Sequence, residues 1–336
     1  MLTFKAIYVI ALAVGVPASA GPVILKRQGS AGCGNTHNIG YNTNHGAGFS
    51  LGSRTYTVLV PTGYDPSKAY PLIVDFHGHN GTSDGQHNTS QYDLFDTTGQ
   101  FLVVYPQGVK YPNAKGELEP AWEGPSYADP TVDDKAFTVD LVQHMEASYC
   151  IDSTRIYASG KSNGGGFVGT LACSPQGSIF AAFAMNSAAL YTDNLGAGAG
   201  GRTCTPSRAS IPIIEVHGSA DSKISYDGGK GSGGTTPPIP SWLAAWSSRD
   251  QTGPATPHNP SPTYGSRVNL TTWHVTGTTE IVVEGIWIQE MDHCWASVDR
   301  NHDWDAFGTK KCKAPLNASE LFMSFFNNWD LNGFRG

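Results

Sequence analysis

Ser162 stands in Gly160-Lys161-Ser162-Asn163-Gly164, with a glycine two residues away on each side. That spacing suits a nucleophile. A serine oxygen is pushed out of a sheet when its residue makes a sharp turn between a strand and a helix, and glycines at these positions remove the clash the turn creates. The flanking segments fit: Arg155 to Ala158 reads as a strand, and Asn163 to Phe167 opens a helix whose first amides point toward developing negative charge. In a chain with 40 glycines the same five residues could form a plain turn. The strand before and the helix after favour the nucleophile.

A serine hydroxyl attacks a carbonyl only when an imidazole takes its proton, and that imidazole needs a carboxylate to fix its tautomer. On a doubly wound hydrolase sheet the chain order is serine, acid, histidine. Asp221, in His217-Gly218-Ser219-Ala220-Asp221, directly follows the apolar run Ile211 to Val216, whereas Asp227 and Asp250 follow no strand so closely. His293 comes just after the run ending near Ile288; His274 lies upstream of that strand, and His302 sits in a polar, charged stretch. Loops beyond the carboxyl ends of strands are where such sheets assemble their sites, which selects Asp221 and His293. The oxyanion formed on attack needs two donors, and removing one typically costs about a hundredfold in turnover. The backbone amide of Asn163 is the first candidate. The second is the amide of His79, in Phe76-His77-Gly78-His79-Asn80-Gly81, where the glycines permit close backbone approach. As side chains, His77 and His79 read as loop packing, because no carboxylates stand near them at metal-ligand spacing. Neither a metal nor an organic cofactor is expected.

The scaffold for these residues is legible as short apolar runs bounded by Gly, Pro, Asn or Asp. Arg54 to Val60, Pro71 to Phe76, Phe101 to Tyr105, Arg155 to Ala158, Ala181 to Met185, Ile211 to Val216 and Ile281 to Ile288 read as strands. Phe137 to Ser148, Gly164 to Cys173, Ser241 to Ser248 and Ser319 to Trp329 read as helices. Their alternation predicts an α/β fold of the α/β-hydrolase type, a doubly wound, mostly parallel sheet in a single domain over residues 28–336. The stretch Asp227 to Pro240, rich in Gly, Ser, Thr and Pro, reads as an exposed loop rather than a linker, since the strand and helix pattern resumes after it.

At the N-terminus, Lys5, the apolar run Ile7 to Val16 and Ala18-Ser19-Ala20 make residues 1–20 read as a signal peptide. The run is shorter than the roughly 20 residues a membrane span needs. Residues 21–27, ending in Lys26-Arg27, read equally as a short propeptide or a charged tail. A secreted, extracellular protein is expected, with no membrane partner, and a monomer. Net charge is -7 with no basic stripe, which argues against nucleic acid. Six cysteines in a secreted chain predict disulfides. Sequence proximity suggests Cys173 with Cys204 and Cys294 with Cys312, leaving Cys33 for Cys150; the second of these would tether the loop carrying His293. Sequons at Asn80, Asn88, Asn269 and Asn317 agree with the secretory route.

From about Tyr56 to Trp329 the chain resembles the secreted esterases related to polyhydroxybutyrate depolymerases, which include feruloyl esterases and acetylxylan esterases of carbohydrate esterase family one. The resemblance is carried by Tyr-Pro-Leu-Ile-Val-Asp-Phe-His-Gly at 70–78, Val-Tyr-Pro-Gln-Gly at 104–108 and Ala-Trp-Glu-Gly-Pro-Ser-Tyr at 121–127. Val132 to Phe137, the serine turn, His217 to Asp221 and His293-Cys294-Trp295 complete it. It implies a catalytic triad of Ser162, Asp221 and His293. Lys135 and Ala296 depart from the family's usual small or apolar residue and proline. Asp133 or Asp134 is expected to brace the serine turn by hydrogen bonding. In the long loop Pro106 to Asp134, Tyr111, Trp122 and Tyr127 could wall a hydroxycinnamoyl ring or pack beneath the loop. Trp295, beside His293, is a further candidate substrate contact. The implied substrate is a feruloylated or acetylated plant cell-wall polysaccharide, cleaved at its feruloyl esters through an acyl-serine. Acetylxylan and polyhydroxyalkanoate esters are the alternatives within the family. A noncatalytic carbohydrate-binding relative is the alternative outside it.

Overall fold

The computed structural model describes residues 29–191 and 204–336. The segments read as a signal peptide (1–20) and as a short propeptide or charged tail (21–27) lie outside the described residues. Eleven strands form the main sheet: β1 (Gly40–Asn42), β2 (Phe49–Leu51), β3 (Arg54–Val60), β4 (Tyr70–Phe76), β5 (Leu102–Pro106), β6 (Ile151–Lys161), β7 (Ala182–Asn186), β8 (Ile213–Gly218), β9 (Thr256–His258), β10 (Val268–His274) and β11 (Ile281–Ile288). Their spatial order is β1-β3-β5-β4-β6-β7-β8-β11-β10-β9, with β2 also paired to β3. The six central strands, β5 to β11 in that order, pair in parallel. Antiparallel strands flank them on both sides. The result is an α/β, mostly parallel sheet of the hydrolase type.

Burial explains the pattern. Leu72 to Phe76 and Leu102 to Pro106 are buried at every position, as expected of central strands covered on both faces. The covering helices are α1 (Ser83–Ser90), α2 (Asp134–Ser148), α3 (Asn163–Ala172), α4 (Ile239–Arg249) and α5 (Ala318–Asn327). α5 buries Phe322, Met323, Phe325 and Phe326, and the Phe326 ring stacks on Tyr157 of β6 at 4.5 Å. α2 begins three residues earlier than the apolar periodicity suggests, because the Asp133 carboxylate accepts the Ala136 amide and caps it.

Two elements carry no apolar signature. α1 turns Ser83, Gln86, Thr89 and Ser90 inward, and Gln86 donates to the buried Asp75 of β4 at 3.0 Å. Burial lifts that Asp75 carboxyl to about 6. β10 mixes Asn269, Thr271 and Thr272 with its apolar residues, as a strand near an antiparallel edge can. The segment Asp227 to Pro240 is a packed surface loop. Gly229–Lys230 pairs with Thr235–Thr236, and a Cβ on Gly233 would fall 2.4 Å from the Pro125 side chain. Three disulfides join Cys33 to Cys150, Cys173 to Cys204 and Cys294 to Cys312.

The strand order reverses at β4: the chain goes from β4 to β5 on one side, then crosses to β6 on the other. In such sheets the crevice at the carboxyl ends beside this reversal is where ligands bind. β4 is followed directly by His77 and β6 directly by Ser162.

Candidate active site

Ser162 links β6 to α3 with φ 54° and ψ −120°, a positive-φ backbone that side-chain-bearing residues rarely adopt. The turn closes only with glycine around it. A Cβ on Gly160 would lie 2.7 Å from the Gly164 carbonyl carbon, and one on Gly164 would lie 2.2 Å from the Phe76 oxygen. The loop after β4 presses on the same place, since a Cβ on Gly78 would sit 3.3 Å from that of Ser162. His79 and Asn163, the expected oxyanion donors, therefore belong to the two backbone segments that meet at the serine.

The structure brings Ser162, His293 and Asp221 into one file. His293 Nε2 lies 2.8 Å from Ser162 Oγ, and His293 Nδ1 lies 2.8 Å from Asp221 Oδ2. The amides of Lys223 and Ile224 donate to Asp221 Oδ1 at 2.9 and 2.7 Å, which fixes the carboxylate plane. Burial alone would raise the Asp221 carboxyl, but hydrogen bonds from His217 and His293 outweigh it and hold the group well below the usual carboxylate range. Burial lowers His293 against the opposing pull of Asp221, so its imidazole is neutral and able to accept a proton. The rival residues lie elsewhere. Asp250 accepts the Ile211 amide, Asp227 is exposed, His274 bonds within the β10 region, and His302 opens a short exposed helix.

Several expectations need correction. Neither Asp133 nor Asp134 braces the turn: Asp133 caps α2, while Asp134 pairs with Arg54 and accepts the Glu123 amide. The brace is the Asn163 side chain, whose Oδ1 accepts the Trp122 amide at 2.8 Å and whose Nδ2 donates to the Trp122 carbonyl. Trp122 and Trp295 cannot face a substrate, being 0% and 1% exposed. Their indole N–H groups donate inward, to the His77 carbonyl and to Ser319 Oγ. Tyr127 is half-buried, stacked on the His79 ring at 3.9 Å and edge-on to Tyr191. Lys135 forms an ion pair with Glu123.

Sequence reasoning missed the residues that hold the file. The Asn186 carbonyl accepts the Ser162 amide at 3.1 Å, while its side chain binds the Cys294 carbonyl and the Ala296 amide. Lys161 donates to Asp303, whose other oxygen accepts the Trp295 amide. Asp292 accepts the amides of Ser222 and His293, tying the acid loop to the base loop. Only the glycine spacing and the strand-end positions left a local trace. The Cys294–Cys312 bridge closes an 18-residue separation across the His293 loop. Replacing both cysteines with alanine should cost about 3 kcal/mol in urea unfolding, from the freed chain entropy of the unfolded state. A midpoint equal to the parent's would show that the other contacts alone fix the loop.

A family model described as esterase PHB depolymerase matches residues 54–229. Feruloyl esterase B of Piromyces equi is 29% identical over 177 residues, covering 52% of this chain and 31% of that protein. Feruloyl esterase C of Emericella nidulans is 27% identical over 205 residues, covering 60% of this chain and 65% of that one. The chain thus spans about a third of the first relative and just under two thirds of the second. Among solved structures, an acetyl xylan esterase from Aspergillus awamori aligns with a TM-score of 0.50 at 17% identity, over 76% of this chain and 93% of its own. That likeness is one of fold.

Proposed function

The chain belongs to the esterase PHB depolymerase family, and from that membership we propose that it is a secreted serine esterase cleaving feruloyl esters of plant cell-wall polysaccharides. The observation that carries the reading is the file from Ser162 Oγ through His293 to Asp221, with hydrogen bonds of 2.8 Å at both steps. Such a file makes an alcohol nucleophilic by removing its proton as the new bond forms.

In this reading Ser162 Oγ attacks the ester carbonyl and its proton passes to His293 Nε2. Asp221 accepts from Nδ1–H, holding the reactive tautomer and stabilising the imidazolium. The tetrahedral oxyanion takes hydrogen bonds from the Asn163 and His79 amides, at the dipole-positive start of α3. Collapse expels the sugar hydroxyl, which takes the proton from His293. Water then attacks the acyl-serine with His293 as base, releasing the carboxylic acid and restoring Ser162. No step calls on a metal or an organic cofactor.

Secretion is supported by the three disulfides, which persist in oxidising compartments, and by the leader-like residues 1–20. The feruloyl assignment is supported by the names of the two relatives and by the small aromatic cluster of Tyr127 and Tyr191 that abuts the His79 loop. An ester panel tests it. We expect kcat/KM on methyl ferulate to exceed that for acetate release from acetylated xylan by about tenfold or more, the discrimination a ring-sized apolar contact can supply. Acetate release with no ferulate release would reassign the acyl group and leave the acyl-serine chemistry intact.

A further inference from the structure

Asp221 serves a second histidine. His217, on β8, is fully buried with its Nδ1 2.8 Å from Glu215 Oε1 and its Nε2 2.8 Å from the Ile224 carbonyl and 3.4 Å from Asp221 Oδ2. The Ile224 and Asp221 oxygens can only accept. Glu215 Oε1 also receives the Ala188 amide at 3.3 Å, and as a carboxylate it too only accepts. A neutral imidazole has one N–H, yet both nitrogens of this ring face acceptors; two ring protons satisfy them. Glu215 is itself fully buried, and its other oxygen has no hydrogen-bond partner among the described residues. A buried carboxylate of that kind calls for a cation beside it.

Resting on the acyl-transfer reading above, we propose that His217 is a positioning residue held as a permanent imidazolium between Glu215 and Asp221, and that it sets the acidic limit of turnover. Two imidazoles share Asp221 Oδ2, His293 at 2.8 Å and His217 at 3.4 Å. When catalysis protonates His293, the carboxylate must serve two cations, so a proton on His293 is less stable than Asp221 alone would make it. The base stays neutral, and active, to lower pH. The remaining groups facing the pair are Tyr226, whose ring is 5.8 Å from that of His217, and Lys161, Asp303 and Asp292 around His293. Lys161 repels the His293 proton and Asp303 attracts it, so the two oppose each other. Against the penalty of burial, the Glu215 charge and the Asp221 hydrogen bond push the His217 imidazole up to about 10.

The test has two arms. In His217→Gln, the acidic limb of kcat/KM, followed from about pH 4 to about pH 9, should move up by about one unit, while the plateau stays within about tenfold of the parent. A lowered plateau with an unmoved limb overturns the proposal, because it marks a role in packing alone. The second arm needs no substitution: nitrogen NMR of the 15N-histidine-labelled protein should show, among its 11 histidines, a ring with both nitrogens protonated and no titration between about pH 5 and about pH 8. Absence of any such ring overturns the proposal even if the variant fails to fold. Ser162→Ala in the same assay keeps the two readings apart: activity surviving there sinks the acyl-serine reading, while an unmoved limb with Ser162→Ala inactive sinks only the role of His217.

Discussion

Ser162→Ala is expected to lower kcat for ester hydrolysis by about 10⁶, equivalent to about 8 kcal/mol of transition-state stabilisation. The substitution deletes one oxygen and leaves its surroundings in place. His293 keeps its bond to Asp221, and the Asn163 side chain keeps the turn tied to Trp122. Alanine carries the same Cβ that serine already places at φ 54°, so the strain of the turn is unchanged. Residual hydrolysis above water, about 10³-fold, should persist through the backbone donors alone. The thermal midpoint should match the parent's, and the loss should appear in kcat with KM little altered. Retention of more than about a hundredth of the parent's rate would point to another nucleophile.

Gly164→Ala should lose stability rather than gain it. Within an exposed helix this change ordinarily gains about 1 kcal/mol, because alanine is the better helix former. Here the added methyl would sit 2.2 Å from the Phe76 oxygen and 2.5 Å from the His77 oxygen, both backbone atoms that cannot rotate away. Relieving the overlap means separating α3 from the end of β4, and overpacking of that severity costs about 3 kcal/mol or more. The clash therefore decides the sign. The displaced carbonyls belong to the loop that carries His79, so kcat in the folded fraction should fall about a hundredfold as one oxyanion donor moves out of line. Urea unfolding and kcat measured on the same preparation check both parts; a stabilised variant would show that the helix and strand are not in contact as described.

The legible part of this molecule was whatever a local pattern could carry. Arg54–Val60 and Ile281–Ile288 are strands with the bounds their apolar runs suggest. Ser162 was visible through glycine spacing, and Asp221 and His293 through their places just beyond strands, which is a property of the sheet rather than of the residues themselves. α1 was not legible, because its inward face is Ser83, Gln86, Thr89 and Ser90 and its partner is a buried carboxylate. The pairs Lys161 with Asp303 and Arg54 with Asp134 span 142 and 80 residues and leave no periodic trace. Trp122 and Trp295 sit in loops beside the site, where position alone does not separate a surface platform from a ring packed beneath the loop. Their indole N–H groups instead find acceptors inside the protein, which is what lets a large amphipathic ring be buried completely.

Asn186 gives Ser162 and His293 a common anchor. Its carbonyl holds the Ser162 amide while its side chain grips the backbone on both sides of Trp295, two residues from His293. A slide or twist of β7 carries both partners the same way, so thermal displacements of the two are correlated and the proton's path between them keeps its length. Surface loops around the cleft can then lengthen, shorten or change composition without detuning the transfer. A scaffold wired in this way can trade one acyl group for another through those loops while its chemistry stays fixed.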